Sequence, residues 1–198
     1  IPNSEARAVR RLLEEMGVVP VDLGLVAEDE EAITAALLDG VAECDAVLTS
    51  GGVSMGDFDY VKAVLDRIGE MRWMQVAVRP AKPLAFGLVE GVPVFGLPGN
   101  PVSAMVCGTV FVVPVLRKML GLPAAPAARV DLPLGVDLPA NGPREHYMRA
   151  MVRDGAVLPE DNQDSSLLGI LSRADVLMVR PPHDGARTAG EIIGCIPL

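Results

Sequence analysis

The sequence predicts an α/β domain, with a mostly parallel sheet covered by helices on both faces, followed by a smaller β domain. Three observations predict it. Apolar runs of strand length alternate with stretches of helical period over residues 1–122, the pattern of a sheet built from crossover units. Glycines and prolines punctuate the joins. Beyond 122 the composition shifts to Pro, Ala and Gly without helical period, and short strand-like runs follow. The expected division is 1–122 and 123–198, the second part close to the size at which a single core becomes marginal.

Taken in order, EARAVRRLLEEMG (5–17) has apolar residues at helical spacing and a glycine stop. VVPVDLGLV (18–26) reads as a strand. EDEEAITAALLDGVAEC (28–44) reads as a helix with its acids at the N-terminus, where the helix dipole favours them. DAVLTS (45–50) reads as a buried strand and DYVKAVLDRIGE (59–70) as a helix. RWMQVAV (72–78) and KPLAFGLVEGVPVFGLPG (82–99) give three more strands, the last two joined at Glu-Gly. PVSAMVCGTVFVVPVLRKMLG (101–121) reads as a helix with Pro101 in its first turn, where a missing N–H costs nothing. In the second part, HYMRAMVRDGAVLPE (146–160) and DVLMVRPP (175–182) are strand-like.

Half of the residues are apolar and only 4% aromatic, so the core is aliphatic. A net charge of −9 argues against a nucleic-acid or membrane-surface partner, because phosphates would be repelled over most of the surface. An anionic small molecule remains compatible where the few cations converge. Three cysteines without a CxxC and only two histidines give no zinc signature, and a reduced, cytoplasmic setting is expected. The most apolar stretch, 102–116, is short for a membrane span, contains Pro114, and reads as a buried helix. The chain opens on Ile within what reads as a helix already under way, which suggests a piece of a longer polypeptide.

In a parallel sheet the loops after the strand C-termini share one edge, where ligands bind. Two unusual loops belong there. TSGGVSMGDFDY (49–60) carries Gly51, Gly52, Gly56 and Ser54 between a strand and a helix. LPGNPVSA (97–104) places Pro98, Gly99 and Asn100 before a helix that includes Ser103. Each offers free backbone N–H groups and a positive dipole end to an anion. A third segment, RPAKP (79–83), holds Arg79 and Lys82 between prolines in a stiff stretch. Taken singly, each has a plain alternative: a tight turn, a helix start or a solvated loop. Three anion-friendly loops in so acidic a chain favour a phosphate or other tetrahedral oxyanion. Asp57 and Asp59 are equally readable as helix caps or as Mg²⁺ ligands beside bound phosphate, and Glu28 and Asp29 as acids stabilised by the helix dipole or as a further ligand.

The order and spacing of TSGGVSMGDFDY, RPAKPLAFG and GLPGNPVSA resemble the molybdopterin molybdotransferase family of molybdenum-cofactor biosynthesis. That family includes the catalytic domain of gephyrin, to which FVVPVLRKMLG (111–121) is similar. The resemblance continues through YMRA (147–150) and QDSS (163–166). It implies a molybdopterin-binding α/β domain lacking its first strand and then a small β-barrel domain. It further implies insertion of molybdate into adenylylated molybdopterin, with Mg²⁺-dependent release of AMP, by a homodimer.

Carried onto matching positions, the resemblance places Gly51, Gly52, Ser54, Gly56, Pro98, Gly99 and Asn100 along the nucleotide-pterin ligand. It makes Arg79, Lys82, Ser103, Arg149 and Ser165 contacts to molybdate. Asp59 becomes a catalytic metal ligand joined by Glu28, which stands where the family usually has Asp. Arg79 and Lys82 are also implied as catalytic, and Gln75 falls near a position that is basic in some members. The family's N-terminal region, two further domains and an acidic Gly-Asp-Glu-Leu-like strand have no counterpart in the 198 residues. Two other readings are a molybdopterin adenylyltransferase, which shares the first domain but not the second, and a gephyrin-like scaffold or dimerisation module, which has no need of a charged pocket.

Overall fold

The computed structural model describes residues 4–52, 60–81, 83–123, 125–165 and 168–198. The element order begins α1 (Ser4–Glu15), α2 (Glu30–Glu43), β1 (Val47–Ser50), α3 (Tyr60–Ile68), β2 (Gly69–Gln75), β3 (Val78–Arg79), β4 (Pro83–Val89) and β5 (Val92–Leu97). It continues with α4 (Pro101–Cys107), a π-helical segment (Gly108–Val112), α5 (Val113–Met119), β6 (Val130–Pro133), β7 (Glu145–Arg153), β8 (Ala156–Pro159), α6 (Leu168–Leu171), β9 (Val176–Arg180) and β10 (Ile192–Pro197). Two compact units result: Ile1–Val76 with Ala81–Val112, and Ala77–Pro80 with Val113–Leu198.

In the first unit the sheet order is β1-β5-β4-β2. β1 and β5 are parallel, whereas β5–β4 and β4–β2 are antiparallel, so the sheet is mixed rather than mostly parallel. The reason is local. Glu90 and Gly91 both have positive φ (50° and 82°), a two-residue reversal that forces β4 and β5 to run antiparallel. Helix α2 starts where Asp29 accepts the Ala32 N–H at 2.9 Å, and its buried residues Ile33, Leu37 and Val41 recur every four positions. They join Val47, Val64, Leu65, Val89 and Val94 in one aliphatic core.

Residues 18–26, expected as a strand, form none. Val19 and Leu25 are 88% and 84% exposed, and among the described residues no strand pairs with this segment. Apolar alternation makes a strand only where a partner edge satisfies its backbone. The expected helix at 59–70 stops at Ile68, because Gly69 already pairs with Val89 as the start of β2. The helical run Pro101–Met119 is, by length and apolarity, long enough to cross a membrane, yet half of its most apolar window is buried inside the protein. Core helices meet the same description.

In the second unit the strand order is β3-β7-β9-β10-β6, and β8 also pairs with β7, on the edge opposite β9. β3–β7 is the parallel pair, and the remaining ladders are antiparallel. The implied barrel is not closed among the described residues. Between β6 and β8 there is a single bridge, Leu134 to Val157, with the Gly135 N–H donating to Val157 O at 2.9 Å. Leu134, Leu138, Ala150, Val157, Val176, Met178, Ile193 and Cys195 form this unit's core. One end is tied by Arg180, which is 3% exposed and donates to Asp184 (2.5 Å), Pro139 O (3.1 Å) and Gly185 O (2.8 Å).

Candidate functional site

In the first unit the two glycine-bearing loops leave the C-terminal ends of the parallel neighbours β1 and β5, in register from Val47–Val94 to Ser50–Leu97. The Gly51 N–H donates to Leu97 O at 3.0 Å. Gly51 and Gly52 take φ of 85° and 66°, a conformation that strains any other residue. A Cβ at Gly99 would stand 3.3 Å from Gly51 Cα, so the backbones meet where side chains would hold them apart. Asn100 caps α4 by accepting the Ser103 N–H at 3.1 Å, with Pro101 in the first turn. Pro98 and Ser103 are buried, and Gly99 is exposed. Thr49 Oγ1, just before this loop, is buried without a hydrogen-bond partner among the described residues, a group the sequence argument passed over. Ser54, Gly56, Asp57, Asp59 and Lys82 lie outside the described residues.

Glu28 is exposed and has no hydrogen-bond or ion-pair partner among the described residues, whereas Asp29 is committed to its helix cap. Glu28 therefore fits the hard-oxygen donor set of Mg²⁺, which takes one or two carboxylates together with phosphate oxygens. Among the described residues no group of three or more His, Cys, Asp or Glu converges as a metal cage.

The second unit holds Arg79, Arg149 and Ser165. Arg149 on β7 is wholly buried. Its Nε donates to Gln163 Oε1 (3.3 Å) and its Nη1 to Asp164 O (3.0 Å), while Nη2 has no partner among the described residues. Burial lowers its pKa, opposed by the nearby Asp164 and Glu160 charges. Gln163 fastens the segment before Ser165 to the strand: its Nε2 donates to Arg149 O (2.9 Å) and Glu160 O (2.8 Å), and its Oε1 accepts the Arg149 N–H (3.0 Å). Gln163 and Asp164 thus lie against Arg149 for a main-chain reason that periodicity does not encode.

Arg79 on β3 is exposed and in register with His146 of β7, which is in register with Arg180 of β9. His146 is 8% exposed. Burial lowers its pKa from 6.5 to about 4, helped by Arg79, Arg149, Arg144 and Arg180. The sequence argument did not single out His146; its signal would have been a histidine between two strand-borne arginines, visible only once the strands are paired.

A family described as a probable molybdopterin binding domain matches residues 1–118, and one described as the MoeA C-terminal region (domain IV) matches 131–198. This chain belongs to the MoeA, or molybdopterin molybdenumtransferase, family. A molybdopterin molybdenumtransferase of Haemophilus influenzae is 42% identical over 113 residues, covering 57% of this chain and 28% of the relative. That of Bacillus subtilis is 29% identical over 198 residues, covering 98% of this chain and 46% of the relative. The crystal structure of the molybdopterin biosynthesis MoeA protein from Pyrococcus horikosii superposes with a TM-score of 0.81 at 26% identity, over 96% of this chain and 46% of that one. The chain thus spans less than half the length of these MoeA-family proteins.

Proposed function

We propose that this chain is the part of a molybdopterin molybdotransferase that handles adenylylated molybdopterin and molybdate, in a cytoplasmic homodimer. The observation that carries the reading is Arg149. A fully buried guanidinium whose Nη2 has no partner among the described residues is costly, and an oxyanion arriving at Nη2 removes that cost. Arg79 and Ser165 are further oxyanion contacts proposed within the same unit. In the first unit, the abutting loops at Gly51–Gly52 and Pro98–Asn100 present close-packed backbone to the nucleotide-pterin ligand, with Ser54, Gly56, Lys82 and Ser103 as further anion contacts. Glu28 and Asp59 would hold Mg²⁺, which when bound stabilises charge at the phosphoryl oxygens during adenylate cleavage.

Isothermal calorimetry with molybdate tests the reading. Lys82→Ala removes a charge-assisted contact of roughly 1.5–3 kcal/mol and should weaken binding by at least about tenfold. In the intact protein, Asp59→Asn should leave adenylylated-molybdopterin binding in place and cut Mg²⁺-dependent hydrolysis by orders of magnitude. Asn caps a helix about as well as Asp, so unimpaired cleavage would reduce Asp59 to a cap.

A further inference from the structure

The MoeA-family reading leaves His146 without a role, yet its surroundings are unusual for so acidic a chain. Arg79, His146 and Arg180 occupy matched positions on the adjacent strands β3, β7 and β9, so their side chains leave one face of the sheet side by side. Arg180 is paired with a carboxylate, because Asp184 accepts from its Nε. The other cations are not. Among the described residues neither the Arg79 nor the Arg144 guanidinium has a hydrogen-bond or ion-pair partner. Arg149 contributes its field from the same strand, partly offset by Asp164 and Glu160, and its Nη2 is unpaired among the described residues. The carboxylates that could balance this end are already engaged: Glu145 with Arg129 at 3.3 Å, and Asp184 with Arg180 and Arg187. The imidazole itself is more than nine-tenths buried and makes no hydrogen bond among the described residues. Positive charge therefore gathers around a neutral base with an open acceptor, and among the described residues no carboxylate pairs with Arg79 or Arg144.

We propose that His146 is a proton-coupled oxyanion contact: as a dianion settles against Arg79, the imidazole takes up one proton from solvent and donates a hydrogen bond to it. The inference rests on the oxyanion-site reading and adds to it a residue and a proton. The chemistry follows from the charges on each side. Without the anion, Arg79, Arg144, Arg149 and Arg180 all oppose a further positive charge, and burial opposes it too. With the anion, two negative charges stand at hydrogen-bond distance from the ring, and the same site favours the imidazolium. By linkage, whatever raises the proton affinity of His146 on binding makes the oxyanion bind more tightly as pH falls. Within the window between the free and bound midpoints, affinity should rise by up to about tenfold per pH unit. Arg79 then supplies permanent attraction, and His146 makes capture and release depend on one proton.

The chain has only two histidines, so nuclear magnetic resonance of the imidazole carbons reads the proposal directly on the unmodified protein. His183, exposed and in a turn, serves as the internal reference. With ¹³C-histidine label and no oxyanion, His146 should stay neutral to about pH 4. Saturating molybdate should move its midpoint upward by about three pH units, to about 7, and leave the His183 signals unperturbed. Calorimetry at pH 6 in two buffers of different ionisation heat should show proton uptake on molybdate binding, and His146→Gln should abolish that uptake and flatten the pH dependence of affinity. Molybdate that binds without moving His146 and without proton uptake overturns the proposal and leaves the oxyanion site standing. Absence of molybdate binding at every pH between 6 and 8 overturns both.

Discussion

Replacing Arg149 with methionine separates a binding residue from a structural strut. The substitution removes the Nη1 bond to Asp164 O (3.0 Å) and the long Nε contact to Gln163 (3.3 Å). Together these are worth roughly 2–3 kcal/mol for a charged donor. It spares the two bonds by which Gln163 holds the main-chain N–H and C=O of residue 149, which keep the neighbouring segment in place. Against the loss stands a gain of similar size. The unmet Nη2 and the buried charge are gone, relieving about 1–3 kcal/mol or more, and methionine fills much of the volume with apolar contact. Arg149→Met should therefore change stability by no more than about 1 kcal/mol, read by urea unfolding followed with circular dichroism. Molybdate affinity, measured by calorimetry on the same preparation, should fall at least about tenfold. A variant destabilised by more than about 3 kcal/mol that binds molybdate as tightly as the parent would refute the reasoning and make Arg149 a strut.

Further outcomes follow from the same structure. His146 is neutral in the folded chain down to about 4, while the unfolded residue protonates near 6.5. The unfolded state thus binds more protons between those values, so stability rises with pH across the window and is lost as pH falls through it. Its share, discounted for solvent around the arginines, is about 2 kcal/mol, and urea midpoints at pH 7 and 4.5 should converge less for the parent than for His146→Gln. At Gly87 on β4, a Cβ would stand 2.5 Å from Glu70 O and 2.7 Å from Met71 Cα. Both are backbone atoms of the paired strand, so Gly87→Ala should cost more than about 3 kcal/mol or prevent folding, checked by soluble yield and thermal melting. Burial holds the Cys107 and Cys195 thiols up at about 12 and about 11, while Cys44 is partly exposed. Native iodoacetamide labelling, read by mass spectrometry, should modify Cys44 well before the other two, which should react only on unfolding.

Much of the architecture was legible in the residues because local chemistry fixes it. The acids of 28–31 open α2, the Pro-Gly-Asn-Pro run opens α4, and the hydrophobic runs of β1, β4 and β5 become strands in the positions expected. The glycine pairing was legible in kind: a loop with Gly51 and Gly52 and another with Gly99 announced tight backbone, though not that the two would touch. What misled the reading was partner choice. The alternation of 18–26 names a strand but not an edge to receive it, and the Glu-Gly turn implied an antiparallel ladder that crossover counting overrode.

The sequence alone determined the family, through the order and spacing of its three loops, and it determined the element types wherever caps, turns and periodicity act over a few residues. Only the tertiary structure decided which charges are left uncompensated. Arg149 and Arg180 both sit in strand-like runs and look alike in sequence, yet one finds Asp184 and becomes a tie, while the other keeps a donor open. His146 looks like any strand histidine until β3 and β9 set arginines on either side of it. Strand register is a long-range choice made by whole-sheet packing, and proton affinity depends on the charges that register brings near. A linear sequence holds the groups without stating which of them will meet.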